Sequence, residues 1–493
     1  MRRRSIQAAQ HGDLIHLPDA DDISVDWRPL MLMAALSVLV KLPTLTTPAF
    51  WDEMAYIGQA SWLADNGLWR VVPGLRSDGQ FFGHPPGLHL LAASLFRVFG
   101  HSIEAAHVLI ACFSAIGVAA TYALVRAAHD AKTALLAALL LLLSPTWFYN
   151  AGIFLADLPV AALGTLCAVF VIRDRLLPYL VVASCMVLIK ETAVALVVAL
   201  VAFRLLTRWP LTRATLIDAA RWAVPLLAAV TFALVQKAVT GKFFFIFDFE
   251  FEPMFDLSLH AAVLQAADIS RWIFIAQSRW VLSAAIVVDL MTNAEARRRR
   301  ELLLFGLVVL ASGYAFTVIY YSSRYVIPVL PFFYALGAVS LMSLARKPRL
   351  QWATGTVAVG LTLWSLARDP YRGIGENNLH YIGIVRTNQA AARTLESRYA
   401  ASRIASTWPT GLQLTQPLLG YVSSPLDVKW FEAPGDLVEA DVAVVARPAN
   451  PQAAALEALV RSMEWPVVST WSYGETAITL YRRPETRPTL QER

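Results

Sequence analysis

The 493-residue chain is predicted to fold as a mainly α, polytopic transmembrane helical bundle of about eleven spans with a C-terminal extracytoplasmic α/β domain. Three observations carry that prediction. Hydrophobic residues make up 57% of the chain and charged ones only 16%, where soluble domains are about a quarter charged. Continuous apolar stretches of about 18 to 22 residues recur, long enough to cross about 30 Å of hydrocarbon. Lys and Arg collect in alternate connecting segments, as they do in the inner loops of membrane proteins. A disordered, collagenous or disulfide-stapled chain is excluded, and unbroken apolar runs argue against a β-barrel. The net charge of +6, from 42 basic and 36 acidic residues, therefore reflects basic inner loops and does not point to nucleic acid.

Taken in order, residues 1–28 are polar, begin with Arg2, Arg3 and Arg4, and are expected to stay cytoplasmic. No small-residue cleavage site follows the first apolar stretch, so that stretch reads as an uncleaved start-transfer helix. Spans are expected near 29–46, 104–126, 132–149, 157–173, 177–189, 190–206, 221–240, 273–292, 302–320, 325–345 and 350–367. Gly87 to Phe99 is short and carries His89 and Arg97, so it reads as a helix lying on the membrane interface. With an inner N-terminus, Arg126 and Lys132, Arg173 and Arg175, Arg204 to Arg221, Arg297 to Arg300, and Arg346 to Arg349 all fall inside. Counting Gly87 to Phe99 as a span would break that alternation.

The membrane domain thus runs over 29–367, with a large first outer loop at 47–103, and residues 368–493 form the outer domain. There, β-like runs at Arg403 to Thr407, Asp441 to Val445, Val467 to Thr470 and Thr476 to Tyr481 alternate with helical stretches at Ile384 to Tyr399 and Pro451 to Met463. No Gly-rich phosphate loop occurs in this tail, which is expected to bind or cover and not to catalyse. Cys112, Cys167 and Cys185 sit in apolar segments without metal or redox spacing and read as packing residues.

The informative residues are the few polar ones at the outer face. Trp51-Asp52-Glu53 and Tyr56 follow the first span. Asp52 serves equally well as a helix cap or as a general base or metal ligand, with Trp51 and Tyr56 as walls of a sugar or headgroup pocket. His84-Pro85-Pro86-Gly87 precedes the interfacial helix; the prolines preset its start, and His84 is either a surface residue or a phosphate contact. Asp157-Leu158-Pro159 opens the fourth span, where an acid is also a good cap. Lys190 and Glu191 interrupt an apolar stretch, and ionisable residues there are costly. Ser323-Arg324-Tyr325 follows Tyr320 and Tyr321, and the Arg324 fork suits a phosphate, with snorkelling as the plain alternative. Phe243 to Asp256 adds an acidic and aromatic outer loop. No Walker loop, HExxH or GxSxG stands at a usable place.

Together, Trp51-Asp52-Glu53, His84-Pro85-Pro86, Asp157-Leu158-Pro159, Lys190-Glu191 and Ser323-Arg324-Tyr325 with Ile327-Pro328 resemble the GT-C superfamily of membrane glycosyltransferases. The resemblance covers roughly 29–345 and is closest to the protein O-mannosyltransferase and aminoarabinose transferase branch. It implies transfer of a sugar from a polyprenyl-phosphate donor, with inversion, to a glycan, lipid or protein acceptor on the outer face of a bacterial cytoplasmic (inner) membrane. It makes Asp52, Asp157 and Glu53 the catalytic set, and Arg324, His84 and Lys190 the donor-phosphate set. Trp51, Tyr56, Glu191 and Tyr325 would form the substrate pocket. It also offers Asp52 and Asp157 as ligands for a divalent cation (Mg or Mn). His84 falls where some relatives carry a lysine. The rival reading from another class is a lipid or sugar transporter or flippase; against it, no inverted repeat is detectable and the acids crowd the outer mouth, not the bilayer midplane.

Overall fold

The computed structural model describes residues 27–71, 84–240, 258–314, 317, 322–368 and 378–484. The chain is mostly helical. Helices α1 (Trp27–Leu39), α2 (Asp52–Asn66), α3 (Gly87–Phe99), α4 (Ile103–Arg126), α5 (Ala131–Leu143), α6 (Pro145–Asn150) and α7 (Asp157–Ile172) come first. There follow α8 (Leu176–Val187), α9 (Ala193–Thr207), α10 (Arg213–Trp222), α11 (Pro225–Thr240), α12 (Leu259–Ser270), α13 (Arg279–Thr292), α14 (Arg300–Val308), α15 (Leu330–Leu344) and α16 (Pro348–Arg368). A 3-10 segment, Ser323–Val329, leads directly into α15.

Apolar helix ends are fastened by local polar chemistry. Ser102 caps α4 by accepting from the Ala105 amide, and Asp130 caps α5 by accepting from Thr133. The centre of the bundle is packed tightly where α4 meets α7: Trp147 is fully buried, donates to Ser114 Oγ at 3.0 Å, and lies against Gly117. A side chain at Gly117 would come within 2.6 Å of the Trp147 ring, so the glycine permits the approach.

The expected span count of about eleven is not reached on length and composition. Among the described residues two helical stretches, Ile103–Arg126 and Ser323–Leu344, are long and apolar enough alone, and two bent pairs raise this to four. The bends are 52° between α10 and α11 and 86° between Leu259–Ile275 and α13. The stretch expected at 132–149 is broken at Ser144-Pro145, where proline cannot continue the hydrogen-bond ladder, and α8 and α9 are separated by the Lys190-Glu191 turn. Helix α3 has the bounds expected from sequence.

The tail is a five-stranded sheet with helices. Strands β1 (Ile404–Ser406), β2 (Val428–Trp430), β3 (Val442–Arg447), β4 (Val467–Tyr473) and β5 (Thr476–Arg482) take the order β2-β1-β3-β5-β4. β1 is parallel to β2 and β3, while β5 is antiparallel to β3 and β4. Helices α17 (Tyr381–Arg398), α18 (Thr410–Thr415) and α19 (Pro451–Ser462) complete it. Four of the strands and both longer helices lie where the pattern places them. β2 and α18 fall outside that pattern: β2 is three residues long with Lys429 at its centre, which leaves no apolar run to read.

The tail is fastened to the first loop. The Ala49 amide donates to Leu419 O at 3.0 Å, Tyr421 Oη donates to Ala49 O at 2.9 Å, and Tyr381 packs on Phe50 and Tyr149. These contacts set the start of the first loop, immediately before Asp52, against the sheet domain.

Candidate active site

Asp52 is the first residue of α2 and Asp157 the first of α7, so both carboxylates stand at the positive ends of helix dipoles. Arg324, in the 3-10 segment before α15, reaches both. Its Nη2 donates to Asp52 Oδ2 at 2.6 Å, and its Nε lies 3.4 Å from Asp157 Oδ2. Lys190 Nζ donates to Asp157 Oδ1 at 2.6 Å and stands 4.7 Å from the centre of the Tyr325 ring. Four charged groups from four separate chain segments therefore share one centre.

A second pair adjoins it. His84 Nδ1 donates to Glu191 Oε2 at 2.8 Å. The approach depends on Gly87: its amide donates to Leu188 O at 2.8 Å, and an added Cβ would come within 2.5 Å of that oxygen. The glycine thus lets the His84-Pro85-Pro86 turn lie directly on the loop that carries Lys190 and Glu191.

The walls are aromatic. Tyr56 lies 6.1 Å from the His84 ring and stacks on His89 at 4.8 Å, with Phe154 edge-on. Burial first, and then the nearby Asp157 charge, hold the Tyr56 phenol well above its usual pKa, which makes it a hydrogen-bonding group and not a base. Trp51 has φ 54°, an unusual value for a bulky residue, and packs edge-on against Trp408 of the tail at 4.6 Å. Such backbone strain costs about 1–3 kcal/mol and persists only where surrounding contacts enforce it.

Glu53 is not brought into this centre. Its buried carboxylate accepts from the amides of Phe50 (2.9 Å) and Phe154 (2.6 Å), and from His107 Nε2 at 2.7 Å. His107, whose other nitrogen faces Leu45 O at 2.7 Å, belongs to none of the sequence motifs; an ionisable residue inside the 104–126 span is the signal that could have found it. Trp408 carries no such signal, since only folding of the tail brings it to Trp51. Tyr320, Tyr321 and Phe243 to Asp256 lie outside the described residues.

Asp52 and Asp157 make a poor divalent-cation site as arranged. Both carboxylates are already matched by Arg324, and Asp157 also by Lys190, so a dication there would face two fixed cations. Among the described residues no group of three or more His, Cys, Asp and Glu side chains is placed to hold a metal. The cluster matches the chemistry of an anionic phosphate better: a rigid guanidinium fork, a buried ammonium and an adjoining imidazole.

The profile of the dolichyl-phosphate-mannose-protein mannosyltransferase family matches residues 83–247. No curated protein sequence matches significantly. ArnT from Cupriavidus metallidurans bound to undecaprenyl phosphate is similar with a TM-score of 0.60 at 17% identity, covering 92% of this chain and 98% of that one. An Archaeoglobus fulgidus oligosaccharyltransferase, in complex with Zn and sulfate, gives 0.51 at 15% identity, covering 84% and 67%. The mycobacterial arabinofuranosyltransferase AftD gives 0.50 at 15% identity, covering 95% and 40%. The chain has the GT-C fold of membrane glycosyltransferases, and its 83–247 segment resembles the dolichyl-phosphate-mannose-protein mannosyltransferase family.

Proposed function

We propose that the chain is an inverting glycosyltransferase that moves a sugar from a polyprenyl-phosphate donor to a glycan, lipid or protein acceptor at the outer face of a bacterial cytoplasmic membrane. The carrying observation is the cluster of Asp52 and Asp157, at the starts of α2 and α7, with Arg324 from the 3-10 segment before α15 and Lys190 from the turn between α8 and α9. The likeness to a protein crystallised with undecaprenyl phosphate supports the donor class. The transporter reading draws no support from the fold comparisons.

In this reading the acceptor hydroxyl gives its proton to Asp52 as its oxygen bonds to the anomeric carbon. The bond from that carbon to the phosphate oxygen breaks, and its electron pair leaves on the polyprenyl phosphate. Arg324 and Lys190 stabilise that charge, with His84 beside them; preorganised cations of this kind usually contribute more to such rate enhancements than any other single effect. Arg324 spans Asp52 and Asp157, so donor phosphate competes with Asp52 for the guanidinium. Donor arrival then leaves the base less neutralised and readier to accept a proton.

The test is to incubate purified protein with radiolabelled polyprenyl-phosphate sugars and membrane extract. Transfer by the native protein that falls about 10²- to 10⁴-fold in Asp52→Asn supports the assignment. Full activity in that variant would sink Asp52 as the base, and no transfer with any donor would sink the enzyme reading.

A further inference from the structure

Away from this centre, α13 begins with an arginine in an unusual position. Arg279 is 1% exposed, and among the described residues none of its three guanidinium nitrogens has a hydrogen-bond partner. An uncompensated charge buried inside protein is among the most costly arrangements a fold can hold. Arginine stays charged at any physiological pH, so it cannot escape by losing its proton.

The side chain lines a small cavity between α13, α15 and α16, whose free core of about 10 Å³ admits one water-sized particle. Two further features face it. Gln277 and Ser278, just before α13, and Val281 and Leu282 in its first turn also line it, so the positive end of this 14-residue helix borders the space. Tyr334, from α15, also lines it, and its buried hydroxyl has no partner among the described residues. Among the described residues no Asp or Glu lines the cavity. A guanidinium fork, a helix N-terminus and a spare hydroxyl converge where the fold supplies no negative charge.

We infer that this cavity is a binding site for a small monovalent anion of the halide class, chloride under cellular conditions, held by Arg279 and the start of α13 with Tyr334 donating. The small space favours a monatomic ligand: a phosphate or sulfate must seat four oxygens around its centre, whereas a halide is a single sphere only somewhat wider than water. Water alone would satisfy hydrogen bonds without neutralising the charge. The anion would also steady Gln277, whose Oε1 accepts from both the amide and the hydroxyl of Thr146 in α6. α6 leads into the short loop that ends at Asp157.

Thermal unfolding of the purified full-length protein in bromide, chloride or isethionate at constant ionic strength tests this. The halides are expected to raise Tm by about 1 to 2 °C over isethionate, since a ligand of the folded state alone stabilises it. Arg279→Met should abolish that difference, and Tyr334→Phe should raise the halide concentration at half effect several-fold. A halide increment that persists in Arg279→Met, or none in the native protein, overturns the inference. Should Arg279→Met fail to fold, anomalous scattering from bromide-grown crystals of the native protein decides. A peak within hydrogen-bond distance of the guanidinium supports the site, and an empty or water-filled cavity overturns it.

Discussion

Arg324 donates to Asp52 at 2.6 Å across 272 residues of sequence, joining the start of α2 to the 3-10 segment before α15. The same guanidinium lies 3.4 Å from Asp157. Carboxylates from the starts of two helices are thereby held at one cation.

Replacing that cation is expected to damage donor use most. Arg324→Lys keeps a charge but loses the planar fork, and transfer should fall by about 10²- to 10³-fold in kcat/KM. Steady-state kinetics with a varied lipid donor checks it; unchanged kcat/KM would rule out a phosphate role.

Lys190 and Asp157 form a buried pair. Lys190→Met leaves Asp157 short of a partner and should cost about 3–5 kcal/mol, while Lys190→Met with Asp157→Asn should cost less than the two single changes added together. Thermal or denaturant unfolding of the four proteins reads this coupling directly. Strict additivity would show that the pair does not interact.

Glu53 separates structural from chemical roles. Glu53→Ala leaves two amides and His107 without their acceptor and should lower Tm by several degrees, yet transfer per folded molecule should stay within a few-fold of native. A large kcat loss at unchanged Tm would restore Glu53 to the catalytic set.

At Gly87 the prediction is steric. Gly87→Ala forces the turn away from Leu188 and should separate His84 from Glu191, lowering both stability, by about 1–3 kcal/mol, and transfer. Gly360, with open space around it, serves as the control, and Gly360→Ala should be near neutral. Equal effects at the two positions would contradict the close approach.

The tail carries a pH signature. Hydrogen bonding from Arg447, at 3.1 Å through Nε, with further support from Tyr481 and Arg461, holds the Glu457 carboxyl below its usual range. Its contribution to stability is therefore present above the unfolded pKa of about 4.3 and is lost as pH falls through the lower folded value. Glu457→Gln should lower Tm at pH 7 and cease to matter in strong acid; a pH-independent difference would refute the linkage.

The sequence by itself determined the membrane character, four of the tail's five strands, and Asp52, Asp157, Lys190 and Arg324 as the residues to watch. The reason is energetic: charges in apolar surroundings are costly, so each one present invites explanation without any knowledge of its neighbours. Only the tertiary structure decided which of them meet. Asp52 and Glu53 are adjacent in sequence, yet successive residues on a helix point about 100° apart, so one faces Arg324 while the other turns to His107. The pairing of His84 with Glu191, the cover of Trp408 over Trp51 and the solitary burial of Arg279 likewise depend on contacts between distant segments, which no local pattern encodes.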